Sequence, residues 1–191
     1  MDFKEMVKKN RSYRRFYEDY KVSIETLKEL AGLTRFTPSA ANRQPLRFIL
    51  SNSPEKNALI FRNLAWAAYL TDWDCPEEGE RPAGYIVILN DIDISKTVGC
   101  DYGIAAQTIL LGATEKGLGG CMIASIKKEE LKQALKIPDN YEVLLAVALG
   151  KPKEIVVIDD IAPSGDVRYG RDDQKVHHVP KRTLDELILN L

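Results

Sequence analysis

Pro38-Ser39-Ala40-Ala41-Asn42-Arg43-Gln44-Pro45-Leu46 is the stretch around which the rest of this chain organises itself. A hydroxyl, two carboxamides and a guanidinium fall within nine residues, with no glycine and a proline near each end. Upstream, Ile24, Leu27, Leu30 and Ala31 keep the 3.6-residue period of a helix behind Ser23, a residue type that caps helix N-termini. Downstream, Arg47-Phe48-Ile49-Leu50 reads as a strand. The stretch is therefore a helix-to-strand connection, poor in core-forming side chains and well supplied with polar groups. Ser39 and the backbone near Ala40 can donate to the edge of a flat heterocycle, and Asn42 and Gln44 each bring a donor and an acceptor. On the residues alone, a turn whose Asn and Gln satisfy their own backbone is an equally good reading.

Bulk properties narrow the classes. The chain has 191 residues, 45% hydrophobic and 29% charged, enough for one medium domain with a sizeable core. No proline- or glycine-rich linker divides it, so one domain over residues 1–191 is expected. The net charge is −1, with 27 Lys+Arg against 28 Asp+Glu, which argues against a nucleic-acid partner. Cys75, Cys100 and Cys121 show no metal-ligand spacing, and a sparse odd count suits a reducing cytoplasm. The N-terminus lacks an apolar signal core, and no run approaches the ~20 apolar residues of a membrane span. A cytoplasmic protein with no membrane partner is the expectation.

The remaining pattern predicts an α/β or α+β sheet flanked by helices. Residues 2–9 read as a short helix, and a Pro54-led helix is expected to run to about Leu70. Residues 71–83 read as a loop, which with Trp66, Tyr69 and Trp73 is a candidate substrate lid. Tyr85–Leu89 and Val143–Leu149 are apolar throughout and read as strands buried on both faces, the second closed by Gly150. Asp101–Lys116 reads as a buried central helix stopped by Gly117. Gly119–Ala124 reads as a strand, and Ser125 as the cap of a helix carrying Leu131, Ala134 and Leu135. Residues 151–181 show no clear period and read as an irregular extension, ahead of a short helix at Leu184, Leu187 and Ile188.

Three further clusters carry candidate chemistry. Arg11-Ser12-Tyr13-Arg14-Arg15-Phe16 offers guanidinium forks and a hydroxyl matched to phosphate oxygens, although three arginines in five residues also suit a solvated turn. Gly117–Ser125 permits close backbone approach to a flat ligand, or a tight helix-to-strand turn; it is no phosphate loop, since GxGxxG is absent. Lys181-Arg182 precedes the last helix and is a further phosphate candidate. Hydrolytic schemes find no support: no GxSxG surrounds a serine, and the two histidines, His177 and His178, are adjacent in the irregular extension.

Taken in order, Arg11-Ser12-x-Arg14-x-Phe16, Pro38-Ser39-x-x-Asn42-x-Gln44-Pro45, Ala105-Ala106-Gln107, Gly117-Leu118-Gly119 and Leu149-Gly150-x-Pro152 resemble the nitroreductase family. The resemblance implies an α+β fold with a mostly antiparallel central sheet flanked by helices and an extended C-terminal segment. It implies an FMN-dependent homodimer with the flavin at the interface. It assigns Arg11, Ser12 and Arg14 to the FMN phosphate, completed by Lys181 and Arg182. Pro38, Ser39 and Ala40 would line the ring, Asn42 and Gln44 would take its polar edge or the ribityl chain, and the Ala124-Ser125 backbone would lie near the reactive nitrogen. Two departures stand out: Asn10 replaces a frequent basic residue, and Leu46 replaces a frequent aromatic.

The implied activity moves reducing equivalents from NADH or NADPH through FMN to a nitroaromatic, a quinone or a similar small acceptor. No acid–base side chain is assigned, since the chemistry belongs to the flavin. A flavin-binding protein without turnover, or reductive dehalogenation on the same fold, are the alternatives that the sequence separates poorly.

Overall fold

The computed structural model describes residues 1–162 and 164–189. Its centre is an antiparallel sheet. β1 (Phe16–Tyr17), β2 (Leu46–Ser51), β3 (Gly84–Asp91), β4 (Gly119–Ile123) and β5 (Tyr141–Pro152) make it up. The long β5 pairs with β3 along one edge, and with β4 and then β1 along the other, while β2 flanks β3. The uninterrupted apolar run of β3 has the cause expected of it, since both faces are covered. Ile86 and Ile88 join a cluster with Leu27, Leu30, Ile109 and Leu149. Tyr85, Val87 and Leu89 join another with Ile60, Trp66, Ile123 and Leu131.

Helices fill both sides. α1 (Phe3–Lys9) is capped by Asp2, and α2 (Ile24–Leu33) by Ser23, whose hydroxyl accepts from the Thr26 amide at 3.0 Å. α3 (Pro54–Phe61), α4 (Asp101–Glu115), α5 (Lys128–Leu135) and α6 (Leu184–Leu187) follow. Gly117 ends the α4 segment at φ +71°, the left-handed conformation that a helix stop needs. Among the described residues no helix is long and apolar enough to cross a membrane.

Three readings of the sequence need correction. The Pro54 helix ends at Phe61, nine residues before Leu70. Leu64 is bridged to Ile126 and the Ala65 amide donates to the Ser125 carbonyl at 2.9 Å, so strand-like pairing pulls the chain out of the helix. That pairing also removes Ser125 as a helix cap: α5 starts at Lys128, behind Lys127. The stretch 151–181 is not irregular. β5 runs through Gly150 to Pro152, and β6 (Val156–Asp160), β7 (Gly170–Arg171) and β8 (His177–Lys181) form a second sheet of order β6-β8-β7. Its β6–β8 pair is parallel and joins segments some 20 residues apart, a pairing that no local period announces.

Candidate functional site

After α1, the chain from Arg11 to Phe16 is extended and strung along the edge of β4. Ser12 bridges to Gly120, and the Tyr13 amide donates to the Gly120 carbonyl at 3.0 Å. Gly119 of β4 allows this approach. A Cβ on Gly119 would lie 2.5 Å from the Tyr13 ring and 2.7 Å from Pro152. The turn is fixed from below by Glu154, whose side chain is fully buried. It accepts the backbone N–H of Arg14, that of Arg15 at 3.2 Å, and the Arg171 guanidinium at 3.0 Å.

The three arginines of this turn separate into different tasks. Arg15 faces away, forked onto Glu80 at 2.5 and 2.6 Å, with Lys153 on the same carboxylate at 2.9 Å. The Arg15 hydrogen bond holds the Glu80 carboxyl down at about 2. Arg14 lies over the Tyr169 ring at 4.7 Å and reaches the Ser12 carbonyl at 3.3 Å and His177 Nε2 at 3.2 Å. A guanidinium only donates, so Nε2 accepts and the His177 proton is on Nδ1. His177 is fully buried; that burial, then the charges of Arg14 and Arg171, push its pKa down to about 4, and the ring is neutral. Arg11 touches the Val7 carbonyl at 3.0 Å, while its Nε is buried without an acceptor.

Arg11, Ser12, Arg14 and Lys181 open together on one cleft of about 370 Å³, with Asn10 and Gln107 beside them. Among the described residues no carboxylate lines it. Arginine and lysine donors, a hydroxyl and the partnerless Arg11 Nε fit a phosphate monoester. Arg182 does not join them: it pairs with Glu186 at 3.2 Å, beside the capping box that starts α6.

A second cleft of about 230 Å³ shares Arg14, Met122 and Tyr169 with the first. Ala124, Ser125 and the small side chains of Ala65, Ala67 and Ala68 line it. Trp66, also on its wall and 8% exposed, carries a buried indole N–H without an acceptor.

The Pro38–Leu46 segment stands apart. The Ser39 hydroxyl donates to Asp101 Oδ2 at 2.6 Å and accepts from the Gln44 amide at 2.9 Å, while the Ala40 N–H donates to Asp101 Oδ1 at 3.2 Å. Gln44 Nε2 donates to the Asn42 carbonyl and side-chain oxygens at 3.2 and 3.1 Å. Ala41, Asn42 and Gln44 all have φ between 51° and 53°, a conformation that is unusual for alanine and glutamine. Pro38, Ser39, Asn42 and Gln44 line a cleft of about 220 Å³ that has no lining residue in common with the other two. Within this chain, then, the two groups of candidate residues share no cleft.

A sequence model of the nitroreductase family matches residues 7–151. The chain belongs to the nitroreductase family. A relative from Archaeoglobus fulgidus, provisionally named an NADH dehydrogenase/NAD(P)H nitroreductase, is 28% identical over 148 residues, 73% of this chain and 80% of its own. The crystal structure of a nitroreductase family protein from Clostridium novyi NT superposes with a TM-score of 0.67 at 27% identity, covering 94% of this chain and 95% of that one. An FMN-dependent nitroreductase from Clostridium difficile R20291 gives 0.62 at 26% identity, over 78% and 87%.

The nitroreductase match ends inside β5, so Glu154, Tyr169, Arg171, His177 and Lys181 lie beyond it. Of these, sequence reasoning found only Lys181. Glu154 reaches its partners across 140 residues, and Asp101 reaches Ser39 across 62. No local pattern marks either pairing. A larger cleft, about 730 Å³, is lined by Phe61, Arg62 and Tyr85 among others, and the end of the 71–83 loop reaches it through Arg81, Pro82 and Ala83, but none of the residues assigned to FMN lines it.

Proposed function

We propose that this nitroreductase-family protein is an FMN-dependent oxidoreductase that uses NADH or NADPH to reduce a small acceptor, a nitroaromatic or a quinone being the leading classes. The observation that carries the reading is the convergence of Arg11, Ser12, Arg14 and Lys181 on one cleft that opens beside Ala124 and Ser125. Arg11, Arg14 and Lys181 would neutralise the FMN phosphate, and Ser12 would donate to it. FMN, when bound, takes up a hydride equivalent from the nicotinamide and delivers it to the acceptor. The chain's own part is to hold, orient and shield. Neutral His177 fixes Arg14 without adding a second positive charge, and Glu154 fixes the backbone of the same turn.

The rigid Pro38–Gln44 segment is proposed to meet the flavin from a second copy of the chain, which would complete the site in a homodimer. Its separation from the Arg11 cleft within one protomer supports this. The protein is proposed to work in the cytoplasm as one domain over residues 1–191, a setting suited to its free cysteines.

The test is direct. Purified protein should be yellow with about one FMN per chain, and anaerobic NADH or NADPH should bleach it. A colourless protein that takes up no added FMN sinks the cofactor assignment. Bleaching by dithionite, but by neither nucleotide, sinks the activity and leaves a flavin carrier. Sedimentation should show a dimer.

A further inference from the structure

Residues 64–73 form a strap along the Ala124–Ser125 cleft, and its two ends are held by different physics. The N-terminal end is tied by backbone: Leu64 bridges to Ile126, and Ala65 donates to the Ser125 carbonyl at 2.9 Å. Beyond it the chain turns through Ala67, at φ 33°, with short-range bonds from Leu70 to Ala67 and from Trp73 to Leu70. The far end meets the C-terminal segment through side chains. The Tyr69 ring lies 5.0 Å from Tyr169, and the Arg171 guanidinium lies 4.4 Å above Trp73.

Of these two contacts only Tyr69–Tyr169 is anchored on one side alone, since Trp73 also packs against the buried cluster of Ile60, Val87 and Leu131. Tyr169 is fixed between Arg14, at 4.7 Å, and His177, at 5.2 Å, and Arg171 is fixed on the fully buried Glu154 at 3.0 Å. Tyr69, in contrast, is 51% exposed. An aromatic contact at a rim is weak, so Tyr69 can part from Tyr169 without disturbing the core. Tyr169 also forms part of the wall of the cleft that the strap borders.

We propose that the Tyr69–Tyr169 contact forms a latch at the wall of the Ala124–Ser125 cleft, which Tyr169 lines, and that the two rings thereby select acceptors by size. Small flat acceptors enter past the closed latch; polycyclic ones require it to part. The selectivity rests on the proposed reading of this cleft as the place where acceptors are reduced. The latch itself rests on the contacts alone.

The chain has two tryptophans, of which Trp66 is buried and Trp73 is half-buried on the strap, four residues from Tyr69, so acrylamide quenching of tryptophan emission in the FMN-loaded protein reports on the strap. Tyr69→Leu and Tyr169→Leu should each raise the quenching constant about twofold. Each should also raise kcat/KM for a tricyclic quinone, relative to benzoquinone, by roughly fivefold. Tyr69→Phe, which keeps the ring, should behave as wild type. Because Tyr69 is on the rim, Tyr69→Leu gives a folded variant even if Tyr169→Leu does not. Unchanged quenching in Tyr69→Leu would overturn the latch, and raised quenching with a flat size ratio would overturn its role in selection. A protein that reduces no acceptor at all would instead sink the proposed function, and quenching alone would then decide the latch.

Discussion

The arginine turn at 11–16 and the Pro38–Gln44 segment are equally polar, and the fold uses them in opposite ways. In the turn, the backbone is held by a buried carboxylate from the distant connection between β5 and β6, and the side chains of Arg11 and Arg14 are left at a cleft wall. In the segment, the polar groups are spent internally: Ser39 and the Ala40 amide on Asp101, Gln44 on Ser39 and Asn42. One region presents charge; the other presents a stiff surface with its φ angles locked in the left-handed region. The difference shows that a polar motif can matter by shape as much as by its hydrogen-bonding groups, and that only their partners reveal which.

Removing Asp101 should break the contrast most forcibly. Asp101→Ala strips the segment of two charge-assisted hydrogen bonds at a nearly buried site, and about 3 kcal/mol of stability should be lost in denaturant titration. An unchanged midpoint would mean that something other than Asp101 holds the segment. On the other side, Arg14→Ala should weaken FMN binding by about 1.5–3 kcal/mol and leave the Pro38–Gln44 region untouched. Equal affinity in titrations of the apo protein would put the phosphate elsewhere.

Gly119→Ala tests how closely the turn is strung on β4. The added methyl meets Tyr13 and Pro152, and about 2 kcal/mol of destabilisation is expected, read as a lowered melting temperature. A gentler probe is pH. The His177 pKa falls from 6.5 to about 4 on folding, so the unfolded chain takes up the proton first, and stability present above pH 6.5 declines as pH drops towards 4. His177→Gln, which keeps an acceptor for Arg14, should flatten that decline, by an amount on the order of 1 kcal/mol. The neighbouring His178 works in the opposite sense. Its hydrogen bonds to Asp159 and then Asp172 raise its pKa, so its contribution is complete below pH 6.5 and fades as pH rises through the raised value. The smallest effect should come from Arg182→Ala. That guanidinium is engaged with Glu186, so FMN affinity should change by less than about 0.5 kcal/mol. A tenfold loss would return Arg182 to the phosphate cleft.

Much of the fold was legible because local periodicity has local causes. The apolar run Tyr85–Leu89 could only be a strand covered on both faces, Ser23 capped its helix, and Gly117 stopped α4. Where expectation failed, a distant partner had intervened. The Pro54 helix stops at Phe61 because Leu64 and Ala65 pair with Ile126 and Ser125, and the stretch after Pro152 becomes a sheet because β6 and β8 find each other in parallel. At the candidate site the division is the same. Arg11, Ser12, Arg14 and Lys181 were recognisable by type and order, whereas Glu154, Tyr169 and His177, which hold Arg14 in place, carry no pattern of their own.

By itself the sequence determined the family, the buried strands and helices, and which residues offer phosphate-matching donors, since each depends on side-chain type at fixed spacing. Tertiary structure alone decided which donors remain free. Arg15 is claimed by Glu80, Arg182 by Glu186 and Ser39 by Asp101, while Arg11, Arg14 and Lys181 reach the cleft. Each N–H or O–H donates in one direction, and its partner is set by folding rather than by sequence neighbourhood.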